Sequence, residues 1–262
     1  MATYLDRILD AHRAAARTDR RVLADLVAEA RAQPPTRGFA DALRSAPGLA
    51  VIAEVKRRSP SKGDLLLGLD PASVAAAYAA GDATCLSVLT DRDFFAGSPE
   101  DLAAARDAVD IPVLRKDFTV GEADVCDARI MGADAVLLIA AALDDAELRA
   151  CHDLADEVGL DALVEIHDEE ELERALAVGA TLIGVNQRDL VTFEVDTERA
   201  VRMAGQMPGD VVRVAESGVR DAGDAARLAG AGYHAVLVGE SLVTSGDPAA
   251  AVAALRAAGR RP

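Results

Sequence analysis

Short apolar runs alternate with longer amphipathic stretches from about residue 48 to the end of the chain. The runs are rich in Val, Ile, Leu and Ala, and the stretches between them carry apolar positions at helical spacing. Four runs follow a glycine-containing return such as Ala80-Gly81-Asp82-Ala83, and a glycine just past a helix turns the chain back. The pattern therefore predicts alternating strands and helices. The eight predicted strands cover residues 50–55, 85–89, 111–114, 135–139, 162–166, 182–185, 211–215 and 235–238.

The alternation predicts an α/β fold, because near-continuous apolar strands are typical of parallel sheets covered by helices. Eight strand–helix units in roughly 210 residues favour a closed eight-stranded β/α (TIM) barrel. A doubly wound open sheet is the alternative. That fold normally has a glycine-rich turn after its first strand, where this chain has Lys56-Arg57-Arg58-Ser59-Pro60. We expect a single barrel over residues 46–262.

Residues 1–45 lie outside this repeat. Their apolar spacing predicts two helices, at about 4–16 and 19–32. We expect them to form an N-terminal helical extension packed on the barrel, not a separate domain. The first 26 residues are charged throughout and lack a continuous apolar stretch, which argues against a signal peptide or a membrane span.

Composition narrows the classes of partner. The net charge of −16 argues against nucleic acid or an anionic membrane, because no broad basic face is available. Cys85, Cys126 and Cys151 are far apart and lack metal-binding spacing, so we expect free thiols in a reducing cytoplasm. With aromatics at 3% and no Trp, aliphatic side chains must fill the core.

Lysine is rare in this chain. Lys56, Lys62 and Lys116 are the only lysines among 28 basic residues, and two of them follow apolar runs. Arginine stays protonated in proteins, whereas a crowded lysine can exchange a proton near neutral pH. Lys56 and Lys116 are therefore candidates for proton transfer, although three residual lysines without a special role are the alternative.

Charged and polar side chains recur where the predicted strands end. In a β/α barrel the carboxyl ends of the strands and the following loops form the active site. We expect these side chains to converge there, with carboxylates compensating cations; a ring of salt bridges that only closes the barrel is the alternative. The converging residues are Glu54, Lys56, Lys116, Glu165, Asn186, Arg188 and Glu216.

Two loops are typical of a phosphate site. Ser217-Gly218 follows strand 7, and Gly239-Glu240-Ser241 follows strand 8. Backbone N–H groups of these loops frequently bind phosphate in this fold. The pair of loops predicts a phosphorylated small-molecule ligand.

Several of these segments together resemble the indole-3-glycerol phosphate synthase family, and the resemblance spans nearly the whole chain. Gln187 departs from the asparagine common in the family, and Glu240 occupies a variable position. The segments that carry the resemblance are IAEVKRRSPS at 52–61, LTD at 89–91, FFAGS at 94–98, PVLRKDF at 112–118, LVEIH at 163–167, GVNQRDL at 184–190 and AESG at 215–218.

The resemblance implies ring closure, decarboxylation and dehydration of 1-(2-carboxyphenylamino)-1-deoxyribulose 5-phosphate in tryptophan biosynthesis. Lys116 matches the family's general acid, and Lys56 matches a second catalytic lysine. Glu54 and Glu165 match carboxylates that hold the lysines and assist proton transfer. Asn186 and Ser217 complete the implied catalytic set, since they match groups that orient the substrate.

The resemblance also implies a substrate-binding set and no cofactor or metal. Ser59 would lie on a mobile loop after strand 1, and phosphate contact at residue 240 would come from backbone N–H. Contact with other tryptophan-pathway enzymes is a further hypothesis about partners. The implied binding residues are Ser59, Phe94, Phe118, Leu137, Arg188, Leu190, Glu216, Gly218, Gly239 and Glu240.

The four histidines form no metal-binding spacing. His167, two residues after Glu165, is expected to have a structural role facing a loop.

Two other functions are compatible with the pattern. A Schiff-base lyase would use a barrel lysine as a nucleophile on a sugar ketone, and borohydride would trap its adduct. A non-catalytic sugar-phosphate-binding barrel would need groups that pair with anions, but it has little need of two lysines among so many arginines.

Overall fold

The computed structural model describes residues 3–60, 62–189 and 191–259. Within these residues, eight parallel strands close into a barrel, because the first strand pairs with both the second and the eighth. The predicted fold class is confirmed. The strands are β1 Ala50–Val55, β2 Cys85–Leu89, β3 Val113–Lys116, β4 Ala135–Ile139, β5 Asp161–Ile166, β6 Leu182–Asn186, β7 Val212–Glu216 and β8 Ala235–Val238.

Helices surround the barrel and precede it. A two-stranded ribbon, Arg58–Ser59 with Gly63–Asp64, lies in the loop after β1, and a 3₁₀ turn at Ala140–Ala142 follows β4. None of the described helices is long and apolar enough to cross a membrane. The α-helices are α1 Tyr4–Thr18, α2 Leu23–Arg31, α3 Phe39–Ser45, α4 Pro71–Ala80, α5 Pro99–Asp107, α6 Glu122–Ile130, α7 Asp145–Val158, α8 Glu169–Ala177, α9 Arg199–Ala204, α10 Ala222–Gly230, α11 Glu240–Val243 and α12 Pro248–Ala258.

Local sequence explains where many helices begin. Asp168 and Asp221 accept hydrogen bonds from backbone N–H groups in the first turns of α8 and α10. Asp144 and Glu147 form a capping box at the start of α7. Such caps satisfy N–H groups that have no partner within the helix.

Strand β3 differs from its predicted bounds by two residues. The apolar run predicted 111–114, but the strand covers Val113–Lys116 and pairs Lys116 with Leu89. Pro112 lacks the N–H that a ladder needs, which moves the start of the strand. The shift brings the charged end of the segment into the strand and fixes the backbone of Lys116.

Helix α3 was not predicted. It has seven residues, and Phe39, Ala40 and Leu43 are buried in the core inside the barrel. The N–H of Ala40 donates to Asp161 at the amino end of β5, at 2.9 Å. A helix this short is marginal alone, so its stability comes from burial, about 1.5–3 kcal/mol for a side chain such as Phe39.

The remaining extension packs around the barrel. Helix α2 contacts α6 and α7, and α1 reaches the carboxyl end of the strands. Arg13 of α1 donates two hydrogen bonds to Glu147 of α7, at 2.6 and 2.8 Å. The N-terminal segment therefore contacts both the amino end and the carboxyl end of the barrel.

Candidate active site

A cavity of about 820 Å³ lies at the carboxyl ends of the strands. This volume is within the range of small-molecule sites, roughly 300–1,000 Å³. Side chains from α1 and from the loop after β1 complete its wall. The seven strand-end residues that we expected to converge all line it, namely Glu54, Lys56, Lys116, Glu165, Asn186, Arg188 and Glu216.

The two lysines of the cavity are each paired with carboxylates. Lys56 forms an ion pair with Glu54, two residues earlier on β1. Lys116 Nζ lies 3.6 Å from Glu165 Oε2 and 4.0 Å from Glu216 Oε2. Burial opposes the charge of Lys116, but the surrounding carboxylates outweigh burial and raise its pKa. Lys116 is therefore an ammonium group at neutral pH.

Glu165 and Glu216 are buried side by side but have different environments. Burial opposes ionisation of Glu165, but Lys116 and His167 outweigh it and lower the Glu165 pKa. Burial, reinforced by the charge of Glu165, raises the pKa of Glu216 well above its usual range. These environments favour the negative charge of the pair on Glu165 and the proton on Glu216.

Asn186 and Arg188 connect the end of β6 to this group. Asn186 Nδ2 donates to Glu165 Oε1 at 3.1 Å, and Asn186 Oδ1 accepts from the N–H of Arg188 at 3.0 Å. The Arg188 guanidinium donates to the carbonyl of Phe193 at 3.0 Å. These bonds fix Glu165 and the start of the loop after β6.

The loops after β7 and β8 approach the cavity through unusual backbone. Ser217 has φ of 63° and Gly218 has φ of 74°, both in the left-handed region. Gln187 Nε2 donates to the carbonyl of Ser217 at 2.7 Å and supports this turn. A Cβ on Gly239 would overlap the carboxylate of Glu54, so glycine there lets the strand end approach the Lys56–Glu54 pair without displacing it.

The loop after β1 lies across the same end of the cavity. Ser59 is buried there, and its Oγ has no hydrogen-bond partner among the described residues. Lys62 Nζ lies 3.7 Å from Glu240 Oε1, which joins the loop to the start of α11. Ser59, Gly218, Gly239 and Glu240 all line the cavity.

The apolar wall differs in part from the predicted one. Phe118 lines the cavity, but Phe94 and Leu137 are not among its lining residues. Leu137 is buried in the core inside the barrel, and the Phe94 ring packs edge-on against Tyr4. Leu190 lies outside the described residues. The other apolar side chains of the wall include Tyr4, Leu5, Ile8, Phe95, Ile139 and Phe193.

Helix α1 supplies Tyr4, Leu5 and Ile8, which sequence reasoning did not assign to the site. The available signal was their spacing of one and four residues, which places them on one face of a helix. That signal does not tell which part of the barrel the helix covers.

His12 attaches α1 to the barrel. Its Nε2 lies 3.0 Å from Asp91 Oδ2 and 3.8 Å from Asp117 Oδ1. Within the described part of the chain, His12, Asp91 and Asp117 offer ring-nitrogen and carboxylate atoms that lie close enough together to hold a metal ion. Asp117 already pairs with Arg115 at 3.1 Å and with the hydroxyl of Thr90, so its charge is compensated by protein groups.

We expected His167 to face a loop, but its ring also lies near two carboxylates. Its Nδ1 lies 3.0 Å from Glu171 Oε2, whereas its Nε2 lies 3.7 Å from Glu165 Oε1. The strand ends at Ile166, so strand alternation does not fix the direction of this ring.

Comparison with known proteins gives one family. A family model described as indole-3-glycerol phosphate synthase matches residues 5–255. Among curated proteins, the indole-3-glycerol phosphate synthase of Mycobacterium avium (strain 104) is 53% identical, covering 100% of this chain and 96% of that protein. The synthase of Mycobacterium tuberculosis (strain ATCC 25177 / H37Ra) is 51% identical with the same coverage.

Solved structures share the fold at low identity. Thiamine phosphate pyrophosphorylase from Pyrococcus furiosus aligns with a TM-score of 0.61 at 17% identity, covering 81% of this chain and 95% of that one. A 3-hexulose-6-phosphate synthase from Salmonella typhimurium aligns with a TM-score of 0.61 at 15% identity, covering 80% and 98%. At such identity these likenesses support the barrel fold alone.

Proposed function

The chain belongs to the indole-3-glycerol phosphate synthase family, and we propose that Lys116 is the general acid of its reaction. The reaction is that of a carbon–carbon lyase in tryptophan biosynthesis. It closes 1-(2-carboxyphenylamino)-1-deoxyribulose 5-phosphate to indole-3-glycerol phosphate with loss of carbon dioxide and water. No cofactor is part of this proposal.

The observation that carries the proposal is the position of the Lys116 ammonium group between two buried carboxyl groups in the cavity. In the ring closure, a carbon of the aromatic ring attacks the ketone carbon, and the ketone oxygen gains negative charge. A proton from Lys116 neutralises that oxygen as the new carbon–carbon bond forms. Loss of carbon dioxide then returns its bonding electrons to the ring.

The later loss of water needs a second proton donor and an acceptor. Lys56 and Glu54 form an ion pair in the same cavity and can serve as that donor and acceptor. Glu165, ionised beside Lys116, holds the ammonium group in place. Lys116 regains its donated proton from solvent, because loss of carbon dioxide from the substrate carboxylate consumes one proton overall. Two lysines with their own carboxylates thus supply protons for two successive steps.

The remaining predicted residues bind the substrate in this proposal. Arg188 binds the substrate carboxylate, and Glu216, being protonated, donates a hydrogen bond to a sugar hydroxyl. Asn186 and Ser217 orient the sugar. The phosphate is bound near Gly218 and Gly239, with Ser59 and the backbone at Glu240 beside it. Phe118 faces the anthranilate ring, while Phe94, Leu137 and Leu190 stay predictions.

A lysine nucleophile is less well supported. The carboxylates around Lys116 raise its pKa, so the amine carries a proton and lacks the free electron pair that a Schiff base requires. Borohydride treatment with substrate would leave Lys116 unmodified under the acid-catalysis proposal.

Replacing Lys116 by Arg tests the proposal. Arg keeps the positive charge but holds its proton too tightly to donate it, so we expect turnover to fall by at least about 10²-fold, the usual size of a general acid's contribution. Formation of indole-3-glycerol phosphate is followed by indole fluorescence, and substrate binding by calorimetry. Binding should remain detectable in the variant.

Arg31→Lys is the matched control, since Arg31 is an exposed residue of α2 that pairs with Glu157. It should match the wild type in turnover. Full activity in Lys116→Arg would remove Lys116 from the mechanism.

We also propose that residues 1–45 act as an extension of a barrel over 46–262, supported by the Arg13–Glu147 and Ala40–Asp161 contacts. A cytoplasmic location is proposed because the three cysteines are free and buried. The net charge of −16 supports the absence of nucleic-acid and membrane partners. Contact with other tryptophan-pathway enzymes stays a hypothesis.

A further inference from the structure

The ring of His167 lies between two carboxylates, one in the cavity wall and one behind it. Its Nδ1 is 3.0 Å from Glu171 Oε2 on α8, and its Nε2 is 3.7 Å from Glu165 Oε1 on β5. The backbone N–H of His167 also donates to Glu171 Oε2, at 2.7 Å. Glu171 therefore fixes both the backbone and the ring of this residue.

A role in the local turn explains only one side of the ring. The bonds to Glu171 account for Nδ1 and the backbone N–H, but Nε2 is buried and has no hydrogen-bond partner within the described ranges. A buried polar atom without a partner is costly, so the position of Nε2 calls for an explanation that the turn does not give. His167 has two carboxylate partners. Glu171 lies on the Nδ1 side of the ring, and Glu165 lies on the Nε2 side.

We propose that His167, held by Glu171, is a positioning residue that keeps the negative charge of the buried carboxyl pair on Glu165, where it faces Lys116. This inference rests on the proposed function of Glu165 in the reaction. It adds to that function two residues, His167 and Glu171, that do not line the cavity.

The two carboxyls lie at similar distances from Lys116. Glu165 and Glu216 both lie near Lys116 Nζ, at 3.6 and 4.0 Å, and two adjacent buried carboxyls do not both ionise readily. Because Lys116 is close to both carboxyls, its charge favours the ionisation of one over the other only weakly. His167 lies on the side of Glu165, so an imidazolium there stabilises charge on Glu165 and leaves the proton on Glu216.

The charges around His167 support its protonation. Burial opposes it, but the hydrogen bond to Glu171 and the charge of Glu165 outweigh burial and raise the His167 pKa, while Arg199 on α9 acts in the opposite direction. Glu165 itself faces Lys116, His167, Asn186 and Glu216. Glu54 on β1 also acts on Glu216 and raises its pKa.

Two substitutions of His167 separate its two sides. Asn places an amide nitrogen near the position of Nδ1, which keeps the bond to Glu171 and removes Nε2. Gln places an uncharged amide nitrogen near the position of Nε2. Turnover and KM of each variant are measured across pH with the ketose phosphate substrate, and thermal unfolding midpoints report the fold.

We expect His167→Asn to move the acidic limb of the kcat profile upward by about one pH unit, because removing a nearby positive charge raises the pKa of a carboxylate. On the acidic slope this is about a tenfold loss of kcat, and KM should change much less. His167→Gln should show the same displaced limb, since it restores a hydrogen-bond donor near Nε2 without the charge.

If the acidic limb is unchanged in His167→Asn, His167 only stabilises the turn through Glu171, and the inference is overturned. Glu171→Gln is the second variant should the Asn protein fail to fold: it keeps the imidazole and should displace the limb in the same direction by less. An unchanged limb there would contradict the inference equally.

Glu165→Gln distinguishes this inference from the proposed function. Loss of activity in Glu165→Gln together with a wild-type profile in His167→Asn would overturn the role of His167 alone. Full activity in Glu165→Gln would instead overturn the proposed role of Glu165, and the role of His167 with it.

Discussion

At the scale of single residues, each lysine of the cavity lies beside its own carboxylate. Lys56 has Glu54 and Lys116 has Glu165, while burial and the charge of Glu165 raise the pKa of Glu216. The sequence predicted that these residues meet, because strand ends of a barrel share one face. It did not predict which carboxyl carries the charge, since that depends on burial and on neighbours such as His167.

The difference between the two carboxyls gives a paired prediction. Glu216→Gln replaces one neutral hydrogen-bonding group by another, so we expect a small loss of kcat at pH 7. Glu165→Gln removes the nearest negative charge from Lys116 Nζ and leaves the buried ammonium less well compensated, so we expect a loss of about 10²-fold or more.

Steady-state kinetics on the two purified variants, each checked by thermal unfolding, measure this contrast. Equal losses in both would contradict the assignment of the proton to Glu216.

At the scale of secondary-structure elements, the bounds of β1, β2, β4 and β8 agree with the apolar runs. Prediction was less accurate where tertiary contacts decide. Helix α3 is stabilised by its burial at the base of the barrel, and the direction of α1 depends on contacts made by His12 and Arg13. These contacts join residues far apart in sequence, which no local pattern contains.

The attachment of α1 should depend on pH. Burial opposes protonation of His12, but Asp91 and Asp117 outweigh it and raise the His12 pKa. The stabilisation is fully present below about pH 6.5, the ordinary value, and is lost as pH rises through the raised pKa. We therefore expect the wild type to have a higher thermal midpoint than His12→Gln at pH 6 and below, with the difference shrinking at higher pH.

Arg13→Gln is the matched control on the same helix. It removes the ion pair with Glu147, which does not titrate in this range, so its effect on the midpoint should be the same at each pH. A His12→Gln difference that stays constant or grows with pH would contradict the account of α1.

At the scale of the whole molecule, the barrel brings together residues more than 160 positions apart in sequence, from Glu54 to Glu216. The eightfold pattern predicted this convergence. The apolar wall was predicted only in part, because Tyr4, Leu5 and Ile8 come from outside the repeat and Leu137 points into the filled barrel. The site is therefore a joint product of the barrel and its N-terminal extension.

The role of Lys116 can be tested by a crystal structure of the protein with an unreactive substrate analogue in which the ketone is reduced to an alcohol. We expect this oxygen to lie about 2.6–3.2 Å from Lys116 Nζ, with the phosphate beside Gly218 and Gly239. An analogue bound in the cavity with that oxygen beyond the reach of Lys116 would contradict the role of Lys116 as the general acid.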